Sequence, residues 1–178
     1  MTKWPSRGAS RPTSSGLGAD TRSSAYADAL NLLTRRALSC TECRDRLLAR
    51  QHSEDKVDEA IARLIENGSL DDKRLALAHA RTAVEIKGRG RLRVVRELQA
   101  RGVAKQVAAE AVAEIFGEKD ERALVARALK KKLRMRARPQ DAAEYARLYQ
   151  YLMRQGFTPA VVVESLRRLR RSTDDEVE

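Results

Sequence analysis

Apolar side chains recur along this chain in steps of three and four, and the whole pattern is written three times. Leu47 to Leu64, Leu98 to Ile115 and Leu152 to Leu169 superimpose at offsets of 51 and then 54 residues. In that register Leu47, Leu98 and Leu152 coincide, as do Val57, Ala108 and Val162. Ile61, Val112 and Leu166 fall together next, then Leu64, Ile115 and Leu169. Positions four and three residues apart form one stripe of an α-helix. No stretch sustains the period of two that a half-buried strand requires. The expected fold is all-α, with three tandem three-helix repeats forming an elongated, curved array. A unit this small buries too little surface to stand alone and leans on its neighbour.

Caps and breakers divide each repeat. The first (25–70) opens with a helix from about Tyr26 to Leu38 that turns Ala29, Leu30, Leu33 and Ala37 inward. Ser39 or Thr41 caps a second helix running to about Arg50. Ser53 caps a third, with Glu54 and Asp55 in its first turn and Asn67-Gly68 at its end. The second repeat (71–117) starts at Asp71, and its first helix reaches about Ile86. Lys87-Gly88-Arg89-Gly90-Arg91 then interrupts the chain. A helix carrying Val94, Val95 and Leu98 follows, broken at Arg101-Gly102-Val103, and a last one ends near Gly117. In the third repeat (118–171) the spacing predicts a helix over about 120–136 and a second with Pro139 at its first position. Thr158-Pro159 opens the last helix, which ends by Arg171. Residues 1–24, rich in Pro, Ser and Gly, read as a disordered basic arm, and residues 172–178 as an acidic tail.

Composition supports helices: aromatic residues are only 4%, so the cores are built from Leu, Val, Ile and Ala. The net charge of +11 is unevenly placed. It is +3 over residues 1–24, −1 over the first repeat, +4 over the second, +9 over the third and −4 over the tail. A field that grows along the array points to a polyanionic partner. No apolar run approaches the ~20 residues of a membrane span, and the N-terminus carries no signal peptide. Two cysteines without an export signal fit the reducing cytoplasm.

Candidate chemistry is sparse. Cys40-x-x-Cys43 lacks the second ligand pair of a structural zinc site, and Cys43 shares its register with Val94 and Leu148, so it reads as a buried thiol. His52 occupies the slot of Val103 and Phe157 and reads as a packing residue, while His79 has no nucleophile beside it. Gly88 and Gly90 do not complete a phosphate loop, and Asp71-Asp72 is explained by an N-cap and a first-turn acid. No nucleophile, base and oxyanion donor assemble. The expectation is a non-enzyme with no metal and no cofactor.

The basic residues carry more information. From Arg122 to Arg138 there are eight cations and no acid. Arg127, Lys130, Lys131, Arg134 and Arg138 share one helix face, opposite Leu124, Ala128, Leu129 and Leu133. Lys87, Arg89, Arg91, Arg93 and Arg96 form a second cluster, and Arg167 and Arg168 with Arg170 and Arg171 a third. These are the candidate contacts to a polyanion, either phosphate or an acidic protein surface. Dedicated single-strand binders stack bases on aromatic side chains. Tyr145, Tyr149 and Tyr151 sit together, but Tyr149 falls near the core stripe, so nucleic-acid contact is expected to be electrostatic and sequence-blind.

One stretch is specific. Asn67-Gly68-Ser69-Leu70-Asp71-Asp72-Lys73-Arg74-Leu75-Ala76 resembles the Gly-Tyr-Leu-Asp-Asp-x-Arg-Phe-Ala signature of the bacterial RecX regulatory family. Gly88-x-Gly90, Arg96-Glu97-Leu98 and Arg101-Gly102-Val103 follow in the family's order. Upstream, Ala29-Leu30, Arg35-Arg36, Ser39, Glu42 and Leu47 resemble its first repeat. Ser69, Leu75 and Leu92 depart from the usual tyrosine, phenylalanine and proline. The resemblance spans residues 25 to 171 and implies binding to the RecA recombinase, especially its filament on single-stranded DNA; the chain is expected to be a monomer. Inhibition of ATP hydrolysis, strand exchange and co-protease activity is implied with it. The competing expectation is a sequence-nonspecific DNA-binding helical protein that acts by competing for DNA.

Overall fold

The computed structural model describes residues 24–117, 119–134, 139 and 141–174. Among them the chain forms helices and no strand. The first triplet is α1 (Ala25–Arg35), α2 (Cys40–Leu48) and α3 (Glu54–Glu66). The second is α4 (Asp72–Glu85), α5 (Arg91–Ala100) and α6 (Lys105–Gly117), and the third α7 (Glu121–Leu133), α8 (Ala142–Gln155) and α9 (Pro159–Asp174). The all-α array of three-helix repeats is what the periodicity predicts. Eleven of the twelve register positions named above are buried, and only Leu169 is partly so. Each buried leucine removes about 2 kcal/mol worth of apolar surface from water.

Helix starts follow from side chains that occupy otherwise unpaired N–H groups. Ser39 accepts from the Glu42 N–H at 3.0 Å while the Glu42 carboxylate accepts from the Ser39 N–H at 3.1 Å, a reciprocal capping box on α2. Asp71, Asp120 and Asp141 accept from the N–H groups of Arg74, Arg122 and Glu144 on α4, α7 and α8.

Four expectations are corrected. Helix α1 stops at Arg35, because Arg36 turns extended (φ −163°, ψ 155°) to deliver Ser39 to its cap. Its inward face is Ala25, Ala29 and Leu32; Leu30 is 37% exposed and Ala37 is exposed. Pro139 is not the first residue of α8: it is buried ahead of the helix, and Asp141 provides the cap. Helix α9 continues to Asp174, past Arg171, while α7 is described as far as Leu133 with Arg134 as its cap, and its expected end near Arg136 lies outside the described residues. The N-terminal arm up to residue 23, residues 135–138 with Arg138, and residues 175–178 of the tail lie outside the described residues.

Two cores result. The first triplet encloses its own, from Ala25 to Leu70. The second and third share a single core that runs without interruption from Leu75 to Leu166.

The same joint connects each triplet to the next. The end of the second helix in one repeat meets the start of the second helix in the repeat before it. Thus the Ser39 hydroxyl donates to the Arg101 carbonyl and the Thr41 hydroxyl to the Gly102 carbonyl at 3.0 Å. One repeat further on, the Gly90 N–H donates to the Gln155 carbonyl at 2.9 Å and the Leu92 N–H to the Gly156 carbonyl at 3.0 Å. Gly102 (φ 76°) and Gly156 (φ 87°) occupy equivalent left-handed positions. A Cβ on Gly156 would lie 2.3 Å from the Arg93 nitrogen, and one on Gly102 would lie 2.4 Å from the Thr41 Cβ. The equivalent residue of the first repeat is Gln51, also left-handed at φ 65°. Among the described residues Gln51 makes its backbone hydrogen bond within its own repeat, to the Leu48 carbonyl, and no other repeat docks on it, so a side chain is tolerated.

Candidate functional site

The second and third repeats enclose a cleft of about 440 Å³. It is lined by Ile86, Lys87 and Gly88 at the end of α4, by Arg127, Lys131 and Lys132 on α7, and by Tyr151 and Gln155 on α8. Two basic clusters that are 40 residues apart in sequence (Lys87 and Arg127) therefore meet in one place. Lys87, Lys131 and Lys132 are exposed and have no ion-pair partner among the described residues. Lys132 sets its ammonium 5.1 Å from the centre of the Tyr151 ring. Ile86 is 75% exposed at the rim. The one acid in the lining, Glu85, is held by Lys119 at 3.1 Å.

The candidate cations divide into two groups. Arg89, Arg91, Arg93 and Arg127 work inside the protein. Arg89 and Arg93 both bind the Glu97 carboxylate, Arg93 at 2.9 Å, and Arg93 also donates to the Arg154 carbonyl at 3.1 Å across the joint. Arg91 lies 3.9 Å from Glu121 and 5.3 Å from the Phe116 ring centre, and its buried Nε has no hydrogen-bond partner. Arg127 donates to the carbonyls of Val84 at 2.9 Å and Glu85 at 3.0 Å, so it completes the C-terminus of α4 from the neighbouring repeat. Arg168 is exposed and paired with Glu164 at 2.7 Å. Lys87, Lys130, Lys131, Arg134 and Arg167 are exposed and free of acid partners among the described residues, and Arg96 touches only its own helix, at the Leu92 carbonyl (3.3 Å). Lys130 and Arg134 lie outside the cleft lining, and Arg167 lines a different groove.

Lys132, Tyr151 and Ile86 line the cleft but are not among the site residues that the sequence marks. Helical spacing selected Lys130 and Lys131 from the Lys-Lys-Lys run, whereas the cleft takes Lys131 and Lys132. The signal that could have found them is the register, which sets the end of α8 against the end of α4.

The remaining titratable groups are structural. Cys43 is buried and Cys40 partly buried, both as free thiols. Burial, followed by the charge and hydrogen bond of Asp72, pushes the Cys40 thiol up to about 11, so it is not a nucleophile at neutral pH. Asp72 does more than occupy a first turn: its carboxylate accepts the Cys40 N–H at 2.9 Å and ties α4 to the start of α2. His52 bonds Asp28 at 2.8 Å, and His79 bonds Glu97 at 3.1 Å. Burial and the nearby charges of Arg101, Lys87 and Arg89 lower the His79 pKa, Glu97 being already taken by two guanidinium groups. No cluster of three or more His, Cys, Asp or Glu residues suited to a metal occurs among the described residues. No helix among them is long and apolar enough to cross a membrane.

Three bundles joined by one recurring contact, with unspent cations on the surface, define an all-α tandem-repeat protein. Models of the first, second and third three-helix domains of RecX match residues 25–64, 71–112 and 120–166. The regulatory protein RecX of Pelodictyon phaeoclathratiforme is 32% identical over 141 residues, covering 79% of this chain and 86% of that protein. That of Halorhodospira halophila is 37% identical over 130 residues, covering 73% and 78%. The chain belongs to the RecX family of regulatory proteins. The crystal structure of RecX from Lactobacillus salivarius shares its fold, with a TM-score of 0.70 at 21% identity over 82% of this chain and 94% of that one.

Proposed function

We propose that this chain is a negative regulator of the RecA recombinase. It binds RecA and lies along the RecA–DNA filament as a monomer in the cytoplasm, inhibiting ATP hydrolysis, strand exchange and co-protease activity. The three repeats, 25–70, 71–117 and 118–171, act as successive contact units. Membership of the RecX family supplies the regulatory role. The observation that carries the contact assignment is the convergence of Lys87, Lys131 and Lys132 on one cleft between two repeats that share a core. A helix of 13 residues is about 20 Å long, so three bundles in series reach more than one subunit of a helical filament. Several weak contacts on one chain then act at high effective concentration. An array fixed across neighbouring subunits resists the rearrangements that hydrolysis requires.

Titration of the protein into the DNA-stimulated ATPase assay of its cognate recombinase tests this. Inhibition is expected below one molecule per recombinase subunit and is expected to persist with DNA in excess. Inhibition that vanishes when DNA is added would instead mean simple competition for DNA. Charge reversal at Lys87, Lys131 and Lys132 together is expected to weaken inhibition and flatten its dependence on log salt by about two to three units. A triple variant that inhibits like the parent at every salt concentration rules out the basic cleft.

A further inference from the structure

A second groove, of about 370 Å³, lies between α8 and α9 and shares no lining residue with the basic cleft. Tyr145 and Tyr149 stand one helical turn apart on α8, above the small side chains of Ala142 and Ala146. Both rings pack partly on the core shared by the second and third repeats, so their positions are fixed, yet both still line the groove. Neither phenol hydroxyl has a hydrogen-bond partner among the described residues. Across the groove α9 presents Val163, 38% exposed, with Arg167 and Arg170. Both arginines are exposed and without an acid partner among the described residues. Asp141, which lines the groove, caps α8 by accepting the Glu144 N–H at 2.7 Å, and Glu164 on α9 is held by Arg122 and Arg168 at 2.9 and 2.7 Å.

We propose that this groove holds single-stranded nucleic acid, with bases against Tyr145 and Tyr149 and backbone phosphates on Arg167 and Arg170. Rigid aromatic faces flanked by free guanidinium groups are what an unpaired strand needs, since every base has a face to stack and every link a charge to neutralise. Residues four apart on a helix are separated by about 6 Å along its axis. That exceeds the 3.4 Å per nucleotide of one strand in a duplex, so the two rings match bases that are spread apart rather than stacked. A duplex keeps its bases stacked inside and can meet only the arginines. The proposal deepens the proposed function by giving the third repeat a hold on the strand at the filament, but it is tested with no recombinase present.

The test is fluorescence anisotropy of a labelled thymine oligonucleotide, and of a duplex of equal length, titrated with the full chain. Tyr145→Ala with Tyr149→Ala is expected to weaken single-strand binding about 10-fold or more while leaving duplex binding unchanged. Tyr145→Phe with Tyr149→Phe is expected to keep the parent affinity. Arg167→Glu with Arg170→Glu is expected to weaken both ligands and reduce the single-strand salt slope by about 1.4. Should the alanine pair lose its helical circular dichroism, leucine at both positions keeps the buried contact and removes the aromatic face, and the same selective loss is expected. Equal loss for strand and duplex overturns the stacking assignment. So does unchanged oligonucleotide binding by the alanine or leucine pair, including the case where filament association alone falls, which assigns the groove to a protein segment.

Discussion

The two inter-repeat joints share one geometry but hold by different means. Between the first and second repeats the contact is polar. Arg101 reaches back to the Glu42 carboxylate and the Ala37 carbonyl, both at 2.8 Å, and the Cys40 N–H finds Asp72. Each repeat there keeps a separate core. Between the second and third repeats the backbones themselves pair, and a single core passes beneath. A charged joint between closed cores can open at the cost of a few hydrogen bonds, whereas a shared core must be broken to part its halves. The molecule therefore consists of a two-repeat body that fixes the basic cleft and a first repeat held by a polar latch.

The largest expected effect comes from the backbone seam. Gly156→Ala puts a Cβ 2.3 Å from the Arg93 nitrogen and forces an alanine to φ 87°. Neither clash nor strain can be relieved by turning a side chain, and a loss of about 3 kcal/mol or more is expected in urea unfolding. Gly102→Ala puts a Cβ 2.4 Å from the Thr41 Cβ, which rotation about χ1 does not move, but the joint there is closed by side chains between two separate cores and can yield without breaking paired backbones. It is expected to lose about 1 to 2 kcal/mol. Equal losses for the two would contradict the distinction between a backbone joint and a side-chain joint.

The latch is the next target. Glu42 is partly buried, which works against its charge, but the hydrogen bonds from Arg101 and from the Ser39 N–H hold its carboxyl below the ordinary 4.5. A carboxyl whose pKa is depressed on folding adds stability that is complete above its unfolded value and is lost as pH falls through the folded one. The latch should therefore weaken only below pH 4.5. Glu42→Gln removes the charge at all pH values and is expected to cost about 2 kcal/mol at pH 7. Hydrogen exchange should quicken in α1, α2 and α3 while α4 to α9 keep their protection. Uniform quickening across all nine helices would mean that the first repeat is not a separable unit.

Helix positions and core residues were legible because periodicity and caps are local: Val57, Ala108 and Val162 declare the same buried slot without any tertiary knowledge. The inward face of α1 was misjudged because Leu30 and Ala37 satisfy an i, i+7 spacing just as well as Ala25 and Leu32 do. Only the docking of α3 decides between them. The candidate site was half legible. Charge runs marked Lys87, Lys131 and Arg167, but a guanidinium in solvent and one clamped by Glu97 have the same sequence signature. The partners of Arg89, Arg93 and Arg127 lie across helices or across the joint, at distances a one-dimensional pattern does not encode. Tyr149 falls near the core stripe in the sequence because a side chain that packs one edge and presents another reads as apolar spacing.

The smallest expected effect tests the rule that relates the repeats. Gln51 adopts the same left-handed conformation as Gly102 and Gly156 but, among the described residues, has no repeat docked against it. Gln51→Gly removes the strain of an L side chain at φ 65°, about 1 kcal/mol, and returns most of that through the greater freedom of glycine in the unfolded chain. The net change is expected to stay within about 0.5 kcal/mol, with Gly156→Ala differing from it in both sign and size. The two substitutions are mirror images at equivalent positions, so backbone conformation alone would give them equal and opposite effects. Any excess at Gly156 therefore measures the docked repeat itself. If urea unfolding gives Gln51→Gly a loss comparable to that of Gly156→Ala, the position is constrained in the first repeat for a reason of its own, and approach of a neighbouring repeat cannot explain why glycine stands in the other two.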